Sequence, residues 1–253
     1  MTELRLRPRS VTEIVDAAFA LYRRNAMQYI LVVALAYTPS LVFQLVYRTD
    51  LVPSVGASMI SLAISILTYS LMGAVVVKLG STAYLGGEPD IAVTVREVMP
   101  RLLAVIAGTI MKAILFVLFM LLFIFPVFYA AARWFAVEQV IVLEGASSSA
   151  AFGRSSELSD GHKWHILLTL ALAFFIYAVL LMGAFVMIGL TGQFVLILLG
   201  GTAVTVIVYP MIGLTQLVLY YDTRIRSEGF DLEQMAGALD AVPAGGGRGG
   251  ING

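Results

Sequence analysis

Three ionisable side chains lie inside strongly apolar stretches: Lys112, Arg133 and Glu138. Charged residues within membrane spans are costly and are therefore candidates for a functional role. Counting about 1.5 Å per helical residue, Lys112 lies about 15 Å beyond Leu102. The same count back from Glu144 places Arg133 at about 16 Å and Glu138 at about 9 Å. We therefore expect a buried charge cluster in which these three side chains meet.

Two cations and one anion would leave one positive charge in excess. That charge could receive a lipid phosphate or another anion, as a lipid or anion carrier requires. The alternative is a closed, hydrogen-bonded cluster that only fixes the packing of the helices, with help from Gln139 and Gln216. We favour the packing interpretation at this stage.

The sequence offers little other chemistry. His162 and His165 lie three residues apart and could ligate a metal or a pigment, but histidines beside an aromatic residue such as Trp164 more often lie at the headgroup level. The chain has no cysteine, which excludes thiol catalysis and Cys metal sites. No nucleophile-elbow, zincin or P-loop pattern is present. We expect no cofactor, no metal and no catalytic residues.

Composition identifies the class of protein. Of the 253 residues, 60% are hydrophobic and 13% are charged, and the mean hydropathy is +0.92, far from the roughly 25% charged residues of a soluble domain. The formal net charge is zero, which gives no reason to expect a nucleic acid partner. The sequence predicts an all-α, polytopic integral membrane protein, for which membrane lipids and other membrane protein subunits are the expected partners.

The elements that must position these residues follow from apolar runs of about 20 residues. A capping box at Ser10 and Glu13 predicts an amphipathic helix that lies either in the membrane surface or packed on the rest of the protein. Six spans are expected, at 26–47, 55–77, 102–125, 127–143, 164–188 and 194–220. The organisation is then an amphipathic segment over 1–25, a membrane domain over 26–221, and an exit segment with a Gly-rich tail over 222–253.

The chain also reads as three units, each an amphipathic segment followed by two spans. The units start near Ser10, Asp90 and Ser147, which suggests an internal repeat. Most Lys and Arg residues fall on one side of the predicted spans, the exceptions being Arg48 and Lys112. By the positive-inside rule both termini are expected in the cytoplasm of a bacterium, with the spans in its inner membrane.

Several segments resemble one known family. They are the opening RPRSVTEIVDAAFALYRRN, the VLEG of residues 142–145, and the exit YYDTRIRSEGFDL of residues 220–232. Together with Arg133 and Leu158 they resemble the bacterial membrane-domain family named after glycerophosphoryl diester phosphodiesterases. The motif residues are Glu144, Arg154, Ser155, Gly161, Trp164, Asp222, Arg224, Arg226, Glu228, Gly229 and Asp231.

The resemblance implies a six-span helical membrane domain. In fused members of that family catalysis belongs to a separate soluble barrel, and we expect this chain to carry the membrane domain without it. The leading hypothesis is therefore a non-enzymatic accessory or scaffold subunit that contacts membrane proteins or lipids. The alternatives are the lipid or anion carrier and, least favoured, a membrane-embedded lipid hydrolase.

Overall fold

The computed structural model describes residues 7–47, 54–122 and 124–228, and every regular element in these ranges is helical. The predicted all-α fold is confirmed. The helices are α1 (Val11–Arg24), α2 (Ala26–Tyr47), α3 (Val55–Tyr84), α4 (Ile91–Val98), α5 (Leu102–Leu122), α6 (Ile124–Arg133), α7 (Val137–Gln139), α8 (Ser148–Ser159), α9 (Lys163–Gly189) and α10 (Phe194–Glu228). A 3₁₀ turn, Met99–Arg101, precedes α5, and a π-helix, Val140–Glu144, follows α7.

Six helical segments in the described ranges are long and apolar enough to cross a membrane, which agrees with the six spans expected from sequence. The longest, α10, has 35 residues and continues without a break through the boundary predicted between residues 221 and 222. Its second half packs against α3, so closely that a Cβ added at Gly80 would lie 2.5 Å from the side chain of Leu214. These two helices form the centre of the bundle.

The order of elements follows the three predicted units. Ser10, Asp90 and Ser147 are the N-caps of α1, α4 and α8, and each side chain accepts a hydrogen bond from the backbone amide three residues later. Such caps satisfy amides that a helix start leaves without a partner. Each short helix is then followed by two segments of spanning length. Whether the units share a common three-dimensional repeat stays a prediction.

Helix α1 is packed on the bundle. The backbone N–H of Arg9, just before α1, donates to Asp222, while the hydroxyl of Tyr22 near its end donates to the carbonyl of Ile207. The helix therefore runs antiparallel to α10. Its apolar face is buried, with Ile14 and Leu21 at most 1% exposed. Of the two sequence interpretations of α1, the structure supports packing on the protein.

The fourth span differs from the single helix expected over residues 127–143. Helix α6 ends at Arg133, and the backbone turns before α7 and the π-helix continue the segment. The hydroxyl of Ser155, on α8, accepts from the amide of Ala136 at 3.1 Å and donates to the carbonyl of Arg133 at 3.1 Å. A side chain thus replaces helical hydrogen bonds at the break. A straight-helix count from Glu144 consequently misplaces Arg133.

The capping box of α1 leads to a pH prediction. The pKa of Glu13 is lowered from 4.5 to about 2, because the Ser10 backbone amide and the Arg7 guanidinium both donate to its carboxylate. Because the pKa is lower in the folded protein, the stability that this cap contributes is fully present above pH 4.5 and is lost as the pH falls toward 2. Carboxyl ¹³C NMR should show Glu13 titrating near pH 2. Arg7→Gln should raise that midpoint, and titration of the wild type at about 4.5 would contradict the geometry.

Candidate functional site

Two polar clusters lie at one end of the bundle, which we call the polar end. This end is formed by the last turns of α3 and α10, the starts of α1 and α9, and the turn after Glu144. The Asp222 cluster consists of Arg9, Tyr84, His165, Asp222 and Arg226. The Glu144 cluster consists of Glu144, Arg154, Tyr220, Arg224 and Glu228. Six of these ten residues belong to the sequence motif.

Asp222 is the centre of the first cluster and is only 1% exposed. Its Oδ1 accepts the backbone N–H of Arg9 at 2.6 Å, and its Oδ2 accepts Arg226 Nε at 2.7 Å. His165 Nε2 lies 3.1 Å from the same Oδ2. Arg226 also donates to the carbonyl of Arg9 at 2.6 Å. One carboxylate therefore joins the segment before α1 to α9 and α10.

Tyrosines connect this cluster to α3. The guanidinium of Arg9 donates to the hydroxyl of Tyr84 at 2.9 Å. The ring of Tyr84 stacks on Tyr221 with centroids 4.8 Å apart, and the hydroxyl of Tyr221 lies 2.7 Å from that of Ser81. Stacked rings and shared hydroxyl hydrogen bonds give α3 and α10 a directional contact beyond apolar burial.

The Glu144 cluster joins the π-helix, α8 and α10. Tyr220 donates to Glu144 Oε1 at 2.8 Å, and Arg154 Nε donates to Glu144 Oε2 at 3.0 Å. Arg154 also reaches Glu228 at 2.5 Å, and Glu228 accepts Arg224 Nε at 2.9 Å. Burial lowers the pKa of Arg154, but its hydrogen bonds to Glu144 and Glu228 outweigh this effect and raise the pKa above its ordinary value.

These contacts indicate a structural role for the motif. In the Glu144 cluster Arg154 and Arg224 pair with Glu144 and Glu228, and Glu157 lies 3.8 Å from Arg154. Asp222 contacts polar groups from three chain segments. Asp222 is buried, whereas Glu144 and Glu228 are partly exposed, and the carboxylates of both clusters are engaged with cations of the same chain. In the described part of the chain no group of three or more His, Cys, Asp or Glu residues could hold a metal ion.

Three further motif residues, Ser155, Gly161 and Trp164, lie on α8, in the turn that follows it and at the start of α9. Ser155 bridges the break after α6, as described above. Gly161 has a φ of +77° in the turn between α8 and α9, a conformation that favours glycine. Trp164, in the first turn of α9, is 77% exposed. Gly229 and Asp231 lie outside the described residues.

The expected buried charge cluster is brought together only in part. Lys112 and Glu138 line one small cavity of about 10 Å³, between α5 and the segment that follows α6. Arg133 does not line it. Its guanidinium has no carboxylate within 4.0 Å in the described part of the chain and donates instead to the hydroxyl of Tyr129 at 2.9 Å. In the described residues Lys112 and Glu138 form no ion pair within 4.0 Å, and a cavity of this size has room for about one water.

Gln139 does not complete this pair. Gln139 is fully buried, and neither its Nε2 nor its Oε1 has a hydrogen-bond partner within the described ranges. Glu138 lies instead against α3, where a Cβ added at Gly73 would be 1.9 Å from Glu138 Oε1. The absence of a side chain at Gly73 is thus what admits the carboxylate.

Sequence reasoning missed four members of the clusters: Arg9, Tyr84, His165 and Tyr220. Arg9 and Tyr220 do lie in the segments that carry the family resemblance, which was a usable signal. His165 was expected either as a ligand or, more often, at the headgroup level, and its contact with Asp222 in the structure was not predicted. Nothing in the local sequence of Tyr84 indicates its contact with Arg9, since the two are 75 residues apart.

Comparison of the chain with protein-family models, curated proteins and solved structures finds no match in any of the three. The resemblance described from sequence stays a prediction. The roles of the residues therefore rest on their geometry.

Removing the charge of Asp222 tests the first cluster. Asp222→Asn leaves Arg226 without its buried counter-charge and weakens the tie to Arg9, so we expect a loss of about 3–5 kcal/mol in the free energy of unfolding. Unfolding in mixed micelles measures this loss, and hydrogen exchange should show faster exchange in α1.

Asp160→Asn is the matched control. Asp160 also pairs with a cation, Lys163 at 2.5 Å, but its side chain is 74% exposed, so the expected loss is much smaller than that of Asp222→Asn because solvent screens the pair. Equal effects of the two substitutions would argue against a special role for Asp222.

The contact between Gly73 and Glu138 can be tested by a double-mutant cycle. Gly73→Ala should cost about 1–3 kcal/mol, because the new Cβ displaces a buried carboxylate. In a Glu138→Ala background the same substitution should cost about 1 kcal/mol or less, which unfolding in mixed micelles would show.

Gly183→Ala is the control for this cycle. A Cβ at Gly183 meets nothing within 4 Å, so the helix should be unaffected or stabilised by up to about 1 kcal/mol. An equal cost of Gly73→Ala in both backgrounds would mean that Glu138 does not occupy the space beside Gly73.

Proposed function

We propose that this chain is a non-enzymatic integral membrane protein that acts as an accessory or scaffold subunit. The observation that carries the proposal is the polar end, where the charged motif residues are engaged with one another. Arg154 binds Glu144 and Glu228, and Asp222 binds Arg226 and the backbone of Arg9. A catalytic site needs a group that is positioned to contact a substrate. These charged groups are instead engaged in contacts between helices.

The outward faces of α5 and α9 support the same proposal. Both helices lie at the periphery of the bundle and expose large apolar side chains along most of their length, among them Val117 and Met120 on α5 and Phe175 and Val179 on α9. In a membrane such faces can contact either lipid or another helix, because lipid tails are as apolar as leucine and the hydrophobic effect favours neither contact. They are the surfaces on which a partner subunit would pack.

We also propose that the protein lies in the inner membrane of a bacterium, with both termini in the cytoplasm. The spans support a membrane location, and the distribution of Lys and Arg in the sequence supports this orientation. The polar end, with α1, α4 and α8, would then face the cytoplasm. Membership of the membrane-domain family named above is part of the proposal and rests on the motif segments alone.

The second candidate function is a lipid or anion carrier. It is favoured by one observation, the Lys112 and Glu138 side chains that line a shared cavity between spans without forming an ion pair. The small volume of that cavity, and the position of Arg133 outside it, make this the weaker proposal.

Native mass spectrometry of the protein, extracted gently from its own membrane, tests the scaffold proposal. We expect a protein partner that is retained in a fixed ratio. Met120→Trp on α5 or Val179→Trp on α9 should reduce that recovery by about tenfold or more, because a bulky ring prevents close helix contact.

The matched control is Val46→Trp, at an exposed position near the end of α2. It should leave the partner bound. A chain that is always recovered without a protein partner, and that moves a solute across proteoliposomes by itself, would contradict the scaffold proposal and support the carrier.

A further inference from the structure

An open groove of about 480 Å³ runs between α6 and α9 on the outer surface of the bundle. It is lined by Phe128, Tyr129, Ala132, Lys163, Trp164 and Leu167. These residues come from the last two turns of α6 and the first two turns of α9. The groove therefore begins at the polar end and follows the apolar spans away from it.

Two cations converge at the mouth of this groove. The guanidinium of Arg133 donates to the hydroxyl of Tyr129 at 2.9 Å, and its central carbon lies 5.9 Å from the centre of the same ring. The ammonium of Lys163 lies 5.8 Å from that ring centre. The exposed ring of Tyr129 thus makes cation–π contacts with one cation from α6 and one from α9.

The local charge is positive. Asp160 pairs with Lys163 at 2.5 Å, and the pKa of Asp160 is lowered by Lys163 and, to a smaller extent, by Arg133. The carboxylate is therefore ionised and neutralises one of the two cations. Arg133 has no carboxylate within 4.0 Å among the residues the structure describes, so one positive charge remains at the groove.

We propose that this groove is a binding site for an anionic glycerophospholipid. The phosphate group contacts Arg133 and Lys163, and one acyl chain lies along Phe128 and Leu167. Charge complementarity selects an anionic headgroup, since each basic residue near a membrane surface contributes about a factor of five in affinity for anionic lipid. Trp164 is 77% exposed beside the groove, a position typical of indoles at the headgroup level.

The site is distinct from the Lys112 and Glu138 cavity, which has about 10 Å³ and cannot hold a headgroup. It is also independent of the scaffold proposal, because a bound lipid at α6 and α9 neither requires nor excludes a partner subunit. The turn at Gly161 and the break after α6 position the two cations, so the folded chain builds this site from residues 30 apart in sequence.

Fluorescence quenching by brominated lipids tests the site directly. The chain has two tryptophans, and Trp134 is stacked on Phe119 away from the groove lining, so Trp134→Phe leaves Trp164 as the reporter. In vesicles of unlabelled phosphatidylcholine, brominated phosphatidylglycerol should quench Trp164 at a mole fraction at least about fivefold lower than brominated phosphatidylcholine does.

The double variant Arg133→Gln, Lys163→Gln should lose this preference, with both lipids quenching within about twofold of each other. The charge-preserving pair Arg133→Lys, Lys163→Arg should retain it, which separates a lost site from a misfolded chain. Arg24→Gln, Arg96→Gln removes two exposed cations outside the groove and should also retain the preference.

Two results would overturn the proposal. One is the absence of a preference for the anionic lipid in the reporter chain, or a preference that survives in the double glutamine variant. The other is displacement of the lipid by inorganic phosphate beyond the effect of chloride at equal ionic strength, which would show a site for the free phosphate ion.

Discussion

The buried carboxylate of Asp222 is the contact on which the rest of the polar end depends. It accepts the backbone of Arg9 and the side chain of Arg226, and it lies beside His165. A buried charge is costly unless it is paired and hydrogen-bonded. The start of α9, the end of α10 and the segment before α1 therefore have to meet at one point, and α1 is directed along α10 as a result.

The second constraint is the break in the fourth span. Because Ser155 takes over hydrogen bonds at Ala136 and Arg133, α8 is held against the segment that follows α6. This arrangement brings Arg154 to Glu144 and on to Glu228. It also turns Arg133 toward Tyr129 and α9. A single interruption thus separates Arg133 from Glu138. Arg133 lies at the open groove between α6 and α9, and Glu138 lies between α5 and α3.

The two clusters and the groove differ in how their charges are compensated. The charged side chains of the two clusters pair with one another, whereas Arg133, beside the groove between α6 and α9, has no carboxylate within 4.0 Å in the described residues. In a medium of low dielectric constant an unbalanced charge is tolerated only near a polar region or a counter-ion. The polar end therefore joins helices from distant parts of the chain, and the outer surface carries the groove on which the lipid proposal rests.

The sequence by itself determined the class of protein, the number of spans and the helix starts at Ser10, Asp90 and Ser147, because apolar length and capping are local properties. The family resemblance in the sequence also singled out Glu144, Arg154 and Asp222 as motif residues. Only the tertiary structure decided their partners, the packing of α1 on α10, and the separation of Arg133 from Lys112 and Glu138. Depth counts along one helix fail when a side chain from a distant segment, here Ser155, interrupts the backbone hydrogen bonds.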